Sequence, residues 1–232
     1  MTPGGDGKLV LVGTPIGNLS DISPRARETI ATAHVVMAED TRRTAKFVED
    51  RRRLYSYHDH NASGRIPQIL GFLTDGLTVA LVSDAGMPGI SDPAYRAVRA
   101  ALEDGHQVTA VPGPSAVVCA LAASGLPTDR FAFEGFLPRK SGARTSRLEE
   151  MSTYAGSIVY YLGPHHLLRY LEEMRRILGN RPVCVAREMT KLHEEYVRGN
   201  IEMAAEHFSE KKVRGEITLV VGGAGVESGL FD

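Results

Sequence analysis

Residues 83–93 read Ser83-Asp84-Ala85-Gly86-Met87-Pro88-Gly89-Ile90-Ser91-Asp92-Pro93. Two Asp, two Gly and two Pro lie between the apolar, β-branched run 78–82 and the helix-forming run 95–102, where a plain connection needs far fewer special residues. Asp84 directly follows a buried strand. An acid there suits a ligand with hydroxyls or an amine and suits a phosphate badly; the alternative is a turn-forming Asp. Asp92, just before Pro93, reads as a helix cap. Three other loops are unusual: 14–21, Glu39-Asp40-Thr41, and Pro112-Gly113-Pro114-Ser115. Ser115 stands at a helix N-terminus, where it can act as the cap. The small residues after it would let a flat ligand lie close to the backbone. His58-Asp59-His60-Asn61 places two imidazoles two positions apart without a third ligand nearby, so no metal is expected. His165-His166 is expected to pack or cap.

These loops need elements to hold them. Strands are expected at 8–13, 35–38, 54–57, 78–82 and 108–111. Helices are expected at 41–48, at 66–73, between Asp92-Pro93 and Gly105, and at 115–123. Ser23-Pro24 supplies a cap and a first-turn proline to a further helix, along which Ala26, Ile30 and Ala33 recur at helical spacing. Alternating strands and helices predict a mostly parallel sheet covered on both faces. In such sheets ligands bind beyond the C-terminal ends of the strands, and all four special loops follow expected strands. Gly125-Leu126-Pro127-Thr128-Asp129 reads as a hinge. Beyond it, strands are expected at 131–136, 157–162, 183–187, 195–198 and 217–221, with a polar segment reaching Arg147. Leu167, Leu171, Met174 and Leu178 form a helical stripe. The expectation is an α/β protein with an N-terminal domain over 1–127 and an α+β domain over 128–232.

Composition narrows the class. The 232 residues are 43% hydrophobic and 24% charged, ordinary for a globular protein that can bury its own core. No apolar run is long enough to span a membrane, and residues 1–7 lack the features of a signal peptide and read as a short disordered leader. Cys119 and Cys184 sit in apolar runs and read as reduced core residues of a cytoplasmic protein. A net charge of −1 excludes a global nucleic-acid footprint. Local basic clusters remain at Arg42-Arg43, Arg51-Arg52-Arg53 and Arg139-Lys140 with Arg144 and Arg147; a solvated face is the plain reading of any one of them. No G-x-G-x-x-G follows the first strand and no Walker A motif occurs, which argues against nicotinamide and P-loop chemistry.

Longer strings resemble one family. Thr14-Pro15-Ile16-Gly17-Asn18-Leu19, Ala38-Glu39-Asp40-Thr41-Arg42-Arg43-Thr44, Ser56-Tyr57-His58-Asp59-His60-Asn61, the 83–93 loop, Phe133-Glu134-Gly135-Phe136-Leu137-Pro138-Arg139-Lys140 and Thr190-Lys191-Leu192-His193-Glu194-Glu195 are similar to the ribosomal RNA small subunit methyltransferase I family, with likeness running from Lys8 to Gly222. The resemblance implies the tetrapyrrole-methylase fold, two α/β domains with S-adenosylmethionine in the cleft between them, and a homodimer. It implies methylation of a cytidine ribose 2′-hydroxyl in the decoding centre of the small ribosomal subunit. Carried over by motif, the donor site would involve Pro15, Asp84, Gly86, Met87, Ser115, Ala116, Leu162 and Ala186. Three departures stand out. Met87 and Gly89 replace a usual Thr and a bulkier apolar residue, and Ala94 replaces Gly. Tyr160-Tyr161-Leu162-Gly163-Pro164-His165-His166 replaces a Glu-Ser-Pro-His-Arg-like string. Compared with longer members, the sequence ends soon after its last strand, short of a segment that could help grip RNA.

Methyl transfer from a sulfonium is an in-line displacement, so the protein must align the accepting oxygen and exclude water. A base or charge near a weakly acidic hydroxyl would help; the candidates are Glu39, Asp40, Glu188 and Lys191, with Asp40 otherwise a helix cap. Arg42, Arg43, Arg139 and Lys140 are the candidate RNA contacts. Two rival readings are a tetrapyrrole or other small-molecule methylase on the same fold and a non-catalytic RNA-binding or ribosome-assembly factor.

Overall fold

The computed structural model describes residues 7–48 and 50–226; all but one of the leader residues 1–7 lie outside that range. Two compact units divide after Ser115.

The first unit is built on five strands: β1 (Lys8–Val12), β2 (Val35–Ala38), β3 (Leu54–Ser56), β4 (Thr78–Val82) and β5 (Gln107–Val111). Their order is β3-β2-β4-β1-β5, and every pairing is parallel. Helices α1 (Pro24–Thr32), α2 (Thr41–Thr44), α3 (Ala62–Thr74) and α4 (Ala94–Glu103) connect them. Strand alternation divides the apolar side chains between two layers. Leu9, Met37, Val79 and Leu81 pack with Ile69 and Leu73 of α3 and Ala97 of α4. Val10, Val12, Val36, Ala80 and Val82 pack with Ala26 and Ile30 of α1. Burial on both faces is why these strands read as continuous apolar runs. Ser23 caps α1 through the Ala26 N–H at 3.0 Å, with Pro24 at its first position, as the sequence predicts.

The second unit comprises α5 (Ala116–Ser124), β6 (Phe131–Phe136), α6 (Ser141–Glu150), β7 (Ser157–Leu162), α7 (Leu167–Leu178), β8 (Pro182–Arg187), β9 (Glu195–Asn200), α8 (Ile201–Ser209) and β10 (Ile217–Val221). The sheet order is β6-β7-β10-β8-β9; β6 and β7 run parallel, and the other pairs are antiparallel. Ile158, Tyr160, Leu162, Val183, Val185, Ile217 and Leu219 face the helical layer that holds the expected stripe Leu167, Leu171, Met174 and Leu178.

Four expectations differ from the structure. The compact units part at Ser115, ahead of the expected hinge, because α5 packs on β7, β8 and β10 of the second sheet. The polar stretch to Arg147 contains a helix, α6, whose buried face includes Arg144 in place of an apolar residue. The helix expected over 41–48 stops after one turn and continues as a 3-10 turn, Ala45–Phe47. Cys184 is buried, but Cys119 is exposed on the outer side of α5.

Candidate functional site

The parallel sheet of the first unit ends its strands in the loops that the sequence singles out. Thr14 and Gly86 form an isolated antiparallel bridge: the Thr14 N–H donates to the Gly86 carbonyl at 2.9 Å, and the Gly86 N–H donates to the Thr14 carbonyl at 3.1 Å. The Thr14 hydroxyl also donates to the Ser83 carbonyl at 3.2 Å. The chain after β1 is thereby tied to the chain after β4. Gly86 has φ +80°, a left-handed conformation that glycine adopts freely. A side chain there would meet the Pro114 carbonyl oxygen at 3.3 Å. Gly13 and Gly113 approach so closely that a Cβ on Gly13 would lie 2.6 Å from the Gly113 Cα and 2.7 Å from the Met87 sulfur. Met87 therefore lays its thioether over bare backbone, occupying space that a Thr at this position would leave.

Asp84 links two loops. Its Oδ1 accepts the Asp40 N–H at 2.7 Å, and the Asp84 N–H donates to Glu39 Oε2 at 3.4 Å. Arg43 Nη1 stands 3.7 Å from Asp84 Oδ2. Burial pushes the Glu39 carboxyl above its ordinary value, and the charges of Asp84, Asp92 and Asp59 add to this against the Asp84 N–H bond. Asp40 behaves oppositely. It caps α2 by accepting the Arg42 N–H at 2.9 Å and binds the Arg42 guanidinium, which lowers it to about 2. Asp92 accepts from the Gly89 N–H at 2.9 Å and the Ala94 N–H at 2.8 Å; Pro93 takes the N-cap position of α4, so Asp92 holds the first helical N–H from one position outside the cap expected of it. Ser91, between Gly89 and Asp92, has φ +65°, uncommon for a residue with a side chain. The Tyr57 hydroxyl, buried, donates to the Pro93 carbonyl at 3.1 Å and pins the loop's far end. The His58 and His60 rings lie 5.9 Å apart, and the Asn61 amide nitrogen faces His58 Nε2 at 3.3 Å.

The second unit holds the other candidates. Leu162 pairs with Ile217 and Ala186 with Thr218, at one end of the sheet. Pleating sends their side chains to opposite faces, and both are buried, so a ligand at that end meets backbone before either side chain. Glu188 and Lys191 form a closed cluster. Lys191 Nζ lies 2.8 Å from Glu188 Oε1 and 2.7 Å from Glu216 Oε2, and the Glu216 N–H donates to Glu188 Oε1 at 2.9 Å. Burial raises the Glu188 carboxyl, but the Lys191 ammonium and the Glu216 N–H outweigh it and leave it low.

Of the basic clusters, Arg42 is spent on Asp40, Arg52 on Asp50, and Arg147 on Glu134 and Glu150. Arg144 is fully buried and bidentate on Glu173, with donor contacts to the Pro138 and Arg139 carbonyls. It is no part of a nucleic-acid surface. Arg139 and Lys140 are exposed. The Thr14–Gly86 bridge and the Glu39–Asp84–Asp40 link escape a reading by motif. Their sole sequence signals are the glycines and the neighbouring acids.

A model of the Tetrapyrrole (Corrin/Porphyrin) Methylases family matches residues 8–205. A Ribosomal RNA small subunit methyltransferase I of Thermotoga maritima is 46% identical over 220 residues, covering 94% of this chain and 99% of the relative. One of Halalkalibacterium halodurans is 46% identical over 222 residues, covering 94% of this chain and 77% of the relative. Among solved structures, uroporphyrin-III C-methyltransferase from Thermus thermophilus complexed with S-adenyl homocysteine aligns with TM-score 0.64 at 21% identity, over 94% of this chain and 97% of that one. A cobalt precorrin-4 methyltransferase aligns with TM-score 0.66 at 16% identity, over 93% and 94%. At these identities the structures speak for the fold alone.

Proposed function

Because the chain belongs to the tetrapyrrole methylase family, and within it to the ribosomal RNA small subunit methyltransferase I proteins, we propose that it transfers methyl from S-adenosylmethionine to small-subunit ribosomal RNA, at the ribose 2′-hydroxyl of a cytidine in the decoding centre. The carrying observation is the 46% identity to proteins of that name over nearly the whole chain.

The residues after β1, β4 and β5 fit such a donor. Gly13 and Gly113 let the chains after β1 and β5 meet backbone to backbone, Gly86 bends the chain after β4 through a left-handed turn beside them, and Asp84 keeps Oδ2 without a hydrogen bond among the described residues, its nearest cation 3.7 Å away. When bound, the donor supplies an electrophilic methyl group on sulfur. Pro15, Gly86, Met87 and Ser115 would shape the bed for it, and Asp84 would hold its hydroxyls or amine. Ala116, Leu162 and Ala186 are the contacts proposed in the second unit, Leu162 and Ala186 through backbone. Of the four candidate bases, Glu39 is the best placed to take the hydroxyl proton, because burial and neighbouring acids raise its affinity for one. Asp40 is held as a cap, and Glu188 and Lys191 neutralise one another. Arg43, Arg139 and Lys140 would meet RNA phosphates, with Arg42 joining when released from Asp40.

The test is methyl transfer to small subunits and to naked RNA, with 2′-O-methyl positions mapped by resistance to alkaline cleavage. A methyl mark on a base, or transfer to a tetrapyrrole in preference to RNA, refutes the reading; no transfer and no donor affinity favours a non-catalytic RNA-binding factor. The same reading places the protein in the cytoplasm as a homodimer. No helix of the described residues is long and apolar enough to cross a membrane, and sedimentation analysis reports the assembly state.

A further inference from the structure

Strand β6 contains a bulge. Phe133 pairs with Val159, but the register then shifts, so that Gly135 pairs with Tyr160 and Phe136 with Tyr161. Gly135 takes φ +63°, a left-handed conformation that glycine adopts freely. An uninterrupted strand would set Phe136 on the face opposite Phe133, toward the helical core. The inserted residue instead returns it to the Phe133 face. Both rings then rest on Tyr161, with centroids 4.9 and 5.5 Å away. Phe136 remains 65% exposed. The displaced Glu134 turns to Arg147.

Directly after this ring the chain turns through Pro138-Arg139-Lys140. Arg144 fixes that turn from beneath, donating to the Pro138 and Arg139 carbonyls at 2.9 Å each. Its guanidinium is anchored by Glu173 and stacks over Tyr170 at 4.6 Å. The Arg139 and Lys140 side chains are exposed and enter no ion pair among the described residues. An exposed, buttressed aromatic followed within four residues by two exposed cations on a hydrogen-bonded turn is the combination that holds unstacked nucleic acid: the ring takes a base face and the cations take phosphates.

We propose that Phe136, with Arg139 and Lys140, forms a base-stacking subsite for a single-stranded nucleotide of the RNA substrate. This deepens the reading of the chain as an RNA methyltransferase and rests on it. The charge of the turn selects RNA over a second copy of this chain, whose own turn would bring like charges together.

The experiment compares Phe136→Ala, Phe136→Leu and Phe136→Trp with the parent. Each is assayed for methyl transfer to small ribosomal subunits, donor affinity, thermal melting, sedimentation, and quenching of a single-stranded oligoribonucleotide carrying 2-aminopurine. Phe136→Ala is expected to raise KM for the subunit roughly five- to hundredfold, with donor affinity unchanged. Phe136→Trp restores KM and the quenching; Phe136→Leu does not. Unchanged KM in Phe136→Ala, full rescue by Leu, or a change of assembly state in Phe136→Ala overturns the subsite. Quenching that depends on Phe136 in a protein that transfers no methyl to RNA would sink the methyltransferase reading and leave the subsite standing. Normal transfer with Phe136-independent quenching would do the reverse.

Discussion

Replacing Asp84 with Asn separates the two jobs that this side chain is asked to do. Its Oδ1 accepts the Asp40 N–H at 2.7 Å, a structural contact that an amide oxygen can also make. Its charge is needed only for the donor and for Arg43, and the latter pair, 3.7 Å apart with side chains 62% and 28% exposed, is worth about 0–1 kcal/mol. Asp84→Asn should therefore leave stability within about 1 kcal/mol of the parent. Loss of one charge-assisted hydrogen bond to the donor costs about 1.5–3 kcal/mol, or roughly 10- to 150-fold in affinity. Asp84→Ala should lose the same affinity and in addition leave the Asp40 N–H without its acceptor, lowering stability by about 1–3 kcal/mol. Titration calorimetry with S-adenosylmethionine and urea denaturation on all three proteins measure both quantities. If Asp84→Asn binds the donor within threefold of the parent, Asp84 is a backbone acceptor only and its role as a donor contact is refuted.

Arg144→Ala breaks a buried pair, strands two carbonyls and leaves Glu173 to Arg169 alone, so it should cost about 2–4 kcal/mol in urea denaturation; a loss under 1 kcal/mol would contradict the burial described. Burial pushes the Glu195 carboxyl up, but His207, Arg187 and Lys211 outweigh it and bring it from 4.5 to about 2. A depressed folded value means that its contribution is complete above about pH 4.5 and disappears as pH falls toward 2. Glu195→Gln should flatten the acid limb of stability between those values, and an unaltered limb would refute the assignment. Arg42→Ala with Arg43→Ala should weaken RNA binding and lower the salt slope by roughly 1.8 units on a duplex; if donor affinity falls equally, Arg43 serves the Asp84 site and not RNA.

Much of the scaffold was legible because its signals are local. The apolar runs at β1, β2 and β4, the Ser23-Pro24 cap and the Leu167–Leu178 stripe each lie within a single strand or helix, and each stands where expected. Helix α6 was hidden because Arg144 takes a buried position, satisfied by Glu173 far along the chain. Arg144 counted with Arg139 and Lys140 as a basic cluster for the same reason. Helix α8, capped by Asn200 through the Met203 N–H at 2.9 Å, was not foreseen. At the site, the loops were marked by their glycines, prolines and acids, but the pairing of Glu39 and Asp40 with Asp84 spans more than forty residues and leaves no periodic trace. The opposed faces of Leu162 and Ala186 follow from strand register, which motif matching ignores.

The position of β1 in its sheet has a consequence for biosynthesis. Lys8 pairs with Thr78 on one side and Gln107 on the other, so the strand made first sits between the two made last. At roughly 5–20 residues per second, its second partner emerges about 5–20 s after it. Until then Lys-Leu-Val-Leu-Val has two open edges and an apolar sequence, a segment prone to pair with a neighbouring chain. The parallel sheet cannot close before Val111 is free, and such non-local closure is slow. The first unit is therefore expected to commit to its native topology late in translation, with β1 as the strand most dependent on protection by chaperones.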